Sequence, residues 1–323
     1  MPPATRRWSK DVKLVRARAG FADIAIAAGG IWDPKQIEQM VAEHSHGAFG
    51  DVTNKFSKIT WKGVVPNEAT IQTVLTAFPA CNIRYWLELP LFYLLDGKQN
   101  GPATQRLAFA SLENFLSVEL RHPPIDDDPW QEKKLRFLSG KTITSLLKGP
   151  VANQLEYLHE KDHYQHIQLR IDQALKSHGK VPDELATAKH DIAWKLHEMQ
   201  EAHLLDHLQT LTLITALTKR AQDIEDPEAF VLASRAAQTL FPAAIAHYPQ
   251  LLYSTKMVSE LYCEQLWAPM NRMSPIVFRC IDDPDEHVER TVRSAELLGT
   301  LCVPLEHIRR GHKDEPYKSS HPS

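Results

Sequence analysis

Apolar residues recur along this chain with a spacing near 3.6 and almost nowhere with a spacing of two, which predicts helices and no extended sheet. The period is clear at Ile37, Met40 and Val41, and again at Ile71, Val74, Leu75 and Phe78. Each run has a start signal: Asp33-Pro34 puts a capping residue before a proline at the first helical position, and Asn67-Glu68 precedes the second run. Residues 83–95, which include Tyr85-Trp86 and Phe92-Tyr93, read as a buried helix, with an exposed peptide-binding groove as the sharper alternative. Only residues 58–65 carry the β-branched character of a short strand or hairpin edge. The longest periodic stretches, 151–177 and 182–221, flank a turn at 179–182 and are expected to form a long antiparallel helical hairpin. The fold class is therefore all-α, as a helical-repeat, α-solenoid-like array or an irregular multi-helix bundle containing that hairpin.

A weak internal similarity refines the expectation. Ile224-Glu225-Asp226-Pro227-Glu228-Ala229-Phe230-Val231 is echoed by Ile281-Asp282-Asp283-Pro284-Asp285-Glu286-His287-Val288. Each segment leads into a helix of small and apolar residues, 234–240 in the first case and 294–301 in the second. A looser version spans 91–116. Mechanically, one helix ends, an Asp-Pro turn reverses the chain, and an Ala-rich helix packs back; one such pair cannot bury its apolar face alone, so pairs stack. These residues resemble HEAT and armadillo repeats, most closely over 276–301, with Pro275 before the first helix and Val288, Val292, Ala295 and Leu298-Gly299 in the second. The two Asp-Pro turns lie further apart than the usual repeat of about 40–47 residues. The resemblance implies stacked helix pairs and names no partner.

Punctuation suggests a basic N-terminal arm over 1–20, read as a disordered leader, an N-terminal helical domain over 21–125, a C-terminal helical domain over 126–311 and a polar tail over 312–323. The boundary near 125 follows from Pro123-Pro124 and the acidic loop Asp126-Asp127-Asp128. With 37 basic and 40 acidic residues the net charge is −3, which argues against a chain built throughout to coat a polyanion. The arm departs from that balance: Arg6, Arg7, Lys10, Lys13, Arg16 and Arg18 face one acid, Asp11. It reads as a nucleic-acid-binding arm, a mitochondrial targeting peptide or a solvated leader. Four scattered cysteines suggest neither a zinc knuckle nor a disulfide framework and fit an intracellular compartment, cytoplasmic or nuclear. No stretch approaches eighteen uninterrupted apolar residues, so no membrane association is expected.

Candidate chemistry rests on histidine, of which there are 16. His159 and His163 share a helical face, as do His203 and His207. Measured from the turn at Gly179, the first pair should lie opposite 197–201, so His159, His163, His197 and Glu201 form a candidate metal set, with Glu156 nearby. Glu156-x-x-His159 has the form used in di-iron bundles but lacks a second copy, and His190-Asp191 resembles the paired ligands of HD-type phosphohydrolases. The alternative is that these residues decorate solvated helix faces. No serine-nucleophile elbow, phosphate-binding loop or dinucleotide fingerprint is present, so no catalytic residue is named and a transition metal is the one cofactor in view. The leading expectation is a non-enzymatic helical scaffold with a protein partner. An RNA-binding helical protein and a metal-dependent hydrolase or oxidase are the alternatives.

Overall fold

The computed structural model describes residues 8–44, 54–96, 140–181, 188–201, 205–267 and 283–309. Among them every regular element is a helix. Helix α1 (Lys10–Ala27) runs through the middle of the assembly. Ser9 caps it by accepting from the Val12 amide, and Val15 to Ala25 are buried on every face, the pattern of an interior helix. Residues 10–18 are thus helical, and the arm's four described basic residues take up two different environments. Lys10 and Lys13 are exposed. Arg16 and Arg18 are buried, which removes them from any phosphate backbone. Arg16 donates through Nε to the Leu87 carbonyl (2.6 Å) and lies over the Trp8 ring. Arg18 donates to the Thr60 carbonyl (3.0 Å). Desolvation pulls its pKa below the usual arginine value. Arg6 and Arg7 lie outside the described residues.

Against α1 pack α3 (Lys55–Lys62), α5 (Ile83–Leu87) and α6 (Pro90–Leu95), while α2 (Pro34–His44) packs on α3 and α4 (Glu68–Ala77) on α2. Helix α3 replaces the expected strand. Phe56, Ile59 and Thr60 all turn inward, a three-to-four spacing that outweighs the β-branched content of the segment. Gly63 then ends α3 with φ 64°, and a Cβ there would sit 3.0 Å from the Leu14 Cα, so glycine serves both the turn and the close approach. The helix expected over 83–95 is broken in two, because Pro90 starts a new helix and cannot continue the old one, and it is buried only in part, with Tyr85 exposed.

The second half consists of α7 (Gly140–Lys148), α8 (Pro150–His178), α9 (Ala188–Glu201), α10 (His207–Asp223), α11 (Pro227–Ala246), α12 (Pro249–Leu252), α13 (Thr255–Tyr262), a π-helical turn (Cys263–Trp267), α14 (Pro284–Leu298) and α15 (Leu305–Arg309). The helix expected to run unbroken over 182–221 is two helices. Asp206 starts the second with a capping box: its carboxylate accepts from the Gln209 amide (2.7 Å), and the Gln209 side chain accepts from the Asp206 amide (3.0 Å). Helix α9 packs on α8, where Tyr157 donates to the Met199 carbonyl and Gln154 to the Leu205 carbonyl.

Both Asp-Pro turns start helices. Asp226 accepts from the Ala229 amide (2.9 Å) and Asp283 from the Asp285 amide, with Pro227 and Pro284 at the first helical positions. Helix α11 then packs along α10, with Ala229, Ala233, Ala237 and Ala244 buried, and α14 packs on α11. The Asp226 cap is crowded by α7: a Cβ at Gly140 would lie 1.6 Å from Asp226 Oδ2. Removing the cap by Asp226→Ala is expected to lower stability by about 1 kcal/mol. Gly140→Ala should cost at least as much, since it drives the same carboxylate off the helix end; urea denaturation measures both.

Two large hydrophobic clusters, with a small third one of Leu94 and Ala216, form the interior of the described residues. One joins Val12, Val15, Trp86 and Phe92 to Ile143, Leu211, Leu217, Phe241, Tyr262 and Trp267. The other joins Phe21, Ile24, Ile37 and Phe56 to Tyr253, Val288 and Val292. Each draws on both sides of the boundary expected near 125, which itself lies outside the described residues. Among these helices α11 is long and apolar enough to cross a bilayer by composition alone. Here most of its buried apolar residues belong to the first cluster, and Ala246 to the second.

Candidate metal centre

Three helices bring donors to one point. Asp162 lies in the middle of α8, His207 is the first residue of α10, and His247 is the residue that caps the C-terminus of α11. Because α11 returns along α10 after the Asp226 turn, the start of one and the end of the other meet at the same edge, against α8. His207 Nε2 lies 3.0 Å from Asp162 Oδ2, and His247 Nε2 lies 2.9 Å from Asp162 Oδ1. The two imidazole rings are 3.9 Å apart between centroids. One donor atom from each of the three residues lies within 4.8 Å of the others. The His207 side chain is 5% exposed, whereas those of His247 and Asp162 are 18% and 20% exposed, so the cluster is closed at one side and reached by solvent at the other.

Protonation follows from this geometry. Burial alone would raise the Asp162 carboxyl, but hydrogen bonds from and charges on His207 and His247 outweigh it and hold the group at about 2. His207 moves down as well: burial disfavours its charged form more than the Asp162 hydrogen bond favours it. The His207 side chain is almost fully enclosed, so the Asp162 carboxylate accepts there from a neutral ring.

An ionised carboxylate and a neutral imidazole are the forms that bind metal ions. An ion held at about 2.1 Å by nitrogen and oxygen would set its donors roughly 3.0–3.4 Å apart, close to the separations present. Two imidazoles and one carboxylate suit zinc, iron, cobalt or nickel far better than magnesium or calcium, which favour all-oxygen sites.

The donors that converge among the described residues are not those expected from the sequence. His159 and His163 are exposed on α8, and His197 is exposed on α9 beside Trp194. Glu201 is the last residue of α9, and its side chain lies outside the described part, as do Asp126, Asp127 and Asp128. Glu156, His190 and Asp191 are exposed. The register counted from Gly179 is nearly kept, with Tyr157 against Met199, but His159 and His163 stand on the exposed side of α8, and α10 starts anew at Asp206. His207 therefore reaches Asp162, the neighbour of His163. Asp162 carried a signal, a carboxylate on the helical face of Leu155 and Leu158. His247 carried only its place at the end of an Ala-rich helix.

Asp23, one of the buried carboxylates, is already used by the fold: it accepts from the Asn82 amide (2.5 Å), the Gln250 side chain (2.9 Å) and the Cys81 thiol (3.1 Å). The chain matches no family model, no curated protein and no solved structure.

Proposed function

We propose that this is a helical metal-binding protein whose Asp162, His207 and His247 hold a divalent first-row transition-metal ion of the zinc, iron or cobalt class. The observation that carries the reading is the convergence of two Nε2 atoms and a carboxylate from three separate helices within 4.8 Å. An ion there would tie α8 to the open end of the α10–α11 pair. Three protein donors leave at least one position for water or a fourth group, which keeps a hydrolytic or redox role within the same reading. Adding zinc or cobalt(II) to metal-free protein is expected to raise the melting temperature, because an ion that binds only the folded chain stabilises it by mass action. The same addition should leave His207→Ala unmoved. An equal shift in both proteins, or none in either, rejects the reading.

A protein-binding scaffold is the second reading. It draws on the Ala-rich helix pairs started by Asp226-Pro227 and Asp283-Pro284 and on Trp194, whose residue is 68% exposed on α9. Large aromatics at the centre of an interface carry much of its binding free energy. If this reading holds, Trp194→Ala abolishes capture of the partner while leaving the melting temperature in place.

A further inference from the structure

Resting on the three-donor reading above, we propose that Tyr248, Trp86 and Tyr85 form an electron relay between the centre and the surface, and that the ion held there is redox-active iron. Two imidazoles and one carboxylate with open positions are the donor set of non-haem iron(II). Tyr248 follows the ligand His247 in the chain. Its phenol donates to the carboxylate of Asp206, the residue before the ligand His207. Tyr248 is thus tied to both imidazoles, by the backbone on one side and through a hydrogen bond on the other.

From Tyr248 the rings continue outward in contact. Tyr248 stands edge-on to Trp86 with centroids 5.9 Å apart, and Trp86 edge-on to Tyr85 at 5.2 Å. Trp86 is 5% exposed and Tyr85 43%, so the row of rings starts beside the centre, crosses the interior and ends in solvent. Edge-to-face packing alone would be served as well by phenylalanine. Each ring here is instead an indole or a phenol, the side-chain rings that give up an electron most readily. The aromatic cluster of Phe241, Tyr262, Trp267 and His287 offers no such outlet, since all four are fully buried.

The relay supplies electrons to an oxidant, a peroxide, at the position that the three donors leave open. Reducing hydrogen peroxide to two waters breaks the O–O bond and takes two electrons and two protons. Each electron passes from Tyr248 to the ion; Trp86 refills Tyr248, Tyr85 refills Trp86, and a one-electron reductant in solvent refills Tyr85. Two such passages oxidise two molecules of the reductant. The Tyr248 proton crosses to Asp206 as its electron leaves and returns on refilling, so the relay itself consumes none. Both protons for the waters come from solvent at the exposed side of His247 and Asp162.

The test loads the full chain with iron(II), adds hydrogen peroxide in the presence of a nitroso spin trap, and locates the adducts by peptide mass spectrometry. The parent is expected to carry an adduct on Tyr85, and only when iron is bound. Trp86→Phe keeps a ring in the core and should lose that adduct, whereas Trp86→Tyr restores an oxidisable ring and should retain it. A purely packing role for Trp86 would not separate the two. Circular dichroism and iron uptake show that each variant keeps its helices and its centre; Tyr248→Phe breaks the inner end of the relay and gives the same reading if Trp86→Phe does not fold. If Tyr85 is labelled equally in the parent and in Trp86→Phe, or in neither, while the parent holds iron, the relay is wrong and the three-donor site stands. If the parent takes up no iron, both are wrong.

Discussion

Asp162→Asn is expected to abolish metal binding and to destabilise the metal-free protein at neutral pH. The carboxylate sits between two imidazoles at 2.9 and 3.0 Å, and an amide offers one oxygen where the acid offers two. One imidazole would then face an NH2 group, donor against donor. Affinity for zinc should fall at least about 100-fold, since a charged first ligand is worth more than the roughly 10–100-fold typical of its supporting hydrogen bonds. The stability effect has a definite sign. The Asp162 carboxyl is held at about 2, against an ordinary 3.8. Its contribution is present in full above 3.8 and is lost as pH falls through 2. The full shift would correspond to about 2 kcal/mol; discounting the charge of His207, which burial keeps neutral, leaves about 1–2 kcal/mol. Urea denaturation at pH 7 in the presence of chelator measures it. An Asn variant as stable as the parent, with metal affinity intact, would remove Asp162 from the centre.

His287→Phe is expected to abolish much of the protein's sensitivity to mild acid. His287 is fully buried, stacked on Trp267 at 4.5 Å and set edge-on to Phe241 at 5.3 Å. Burial, assisted by the charge of Arg290 and opposed by that of Glu286, lowers its pKa to about 4 from 6.5. A depressed histidine binds its proton more readily in the unfolded chain. Its contribution is therefore present above 6.5 and is lost as pH falls through 4. The whole shift corresponds to about 3 kcal/mol. Phenylalanine keeps the ring and removes the titration. Stability curves at pH 7 and pH 4.5 should therefore diverge for the parent and nearly coincide for the variant. A residual slope is expected from His207, which burial lowers in the same direction. If the variant loses stability between the two pH values as the parent does, the acid response does not come from His287.

The helical class was legible because its signal is local. Asn67, Asp226 and Asp283 mark helix starts by chemistry that acts within a turn, and the structure uses each of them as a cap. The misreadings came where long-range packing competes with a local cue. Residues 58–65 look β-branched, yet Phe56 and Ile59 must both reach the core, and only a helix places them on one side. Arg16 and Arg18 look like a basic arm because charge suggests water. Their burial depends on carbonyls at Leu87 and Thr60, remote in sequence, which no local pattern announces.

The metal centre shows the same division. Histidine abundance drew attention to α8, and the right helix supplied Asp162. Its partners stand at the first residue of α10 and the cap of α11, brought together by the Asp226 turn and by the break at Asp206. Helical periodicity holds within one helix; it does not carry a register across two chain reversals.

Titration calorimetry of the metal-free chain with zinc, in parallel with the His207→Ala/His247→Ala double variant, decides whether these donors hold an ion. One ion per chain is expected for the parent and none for the double variant. Failure of the parent to bind, or equal binding by both proteins, would contradict the metal reading.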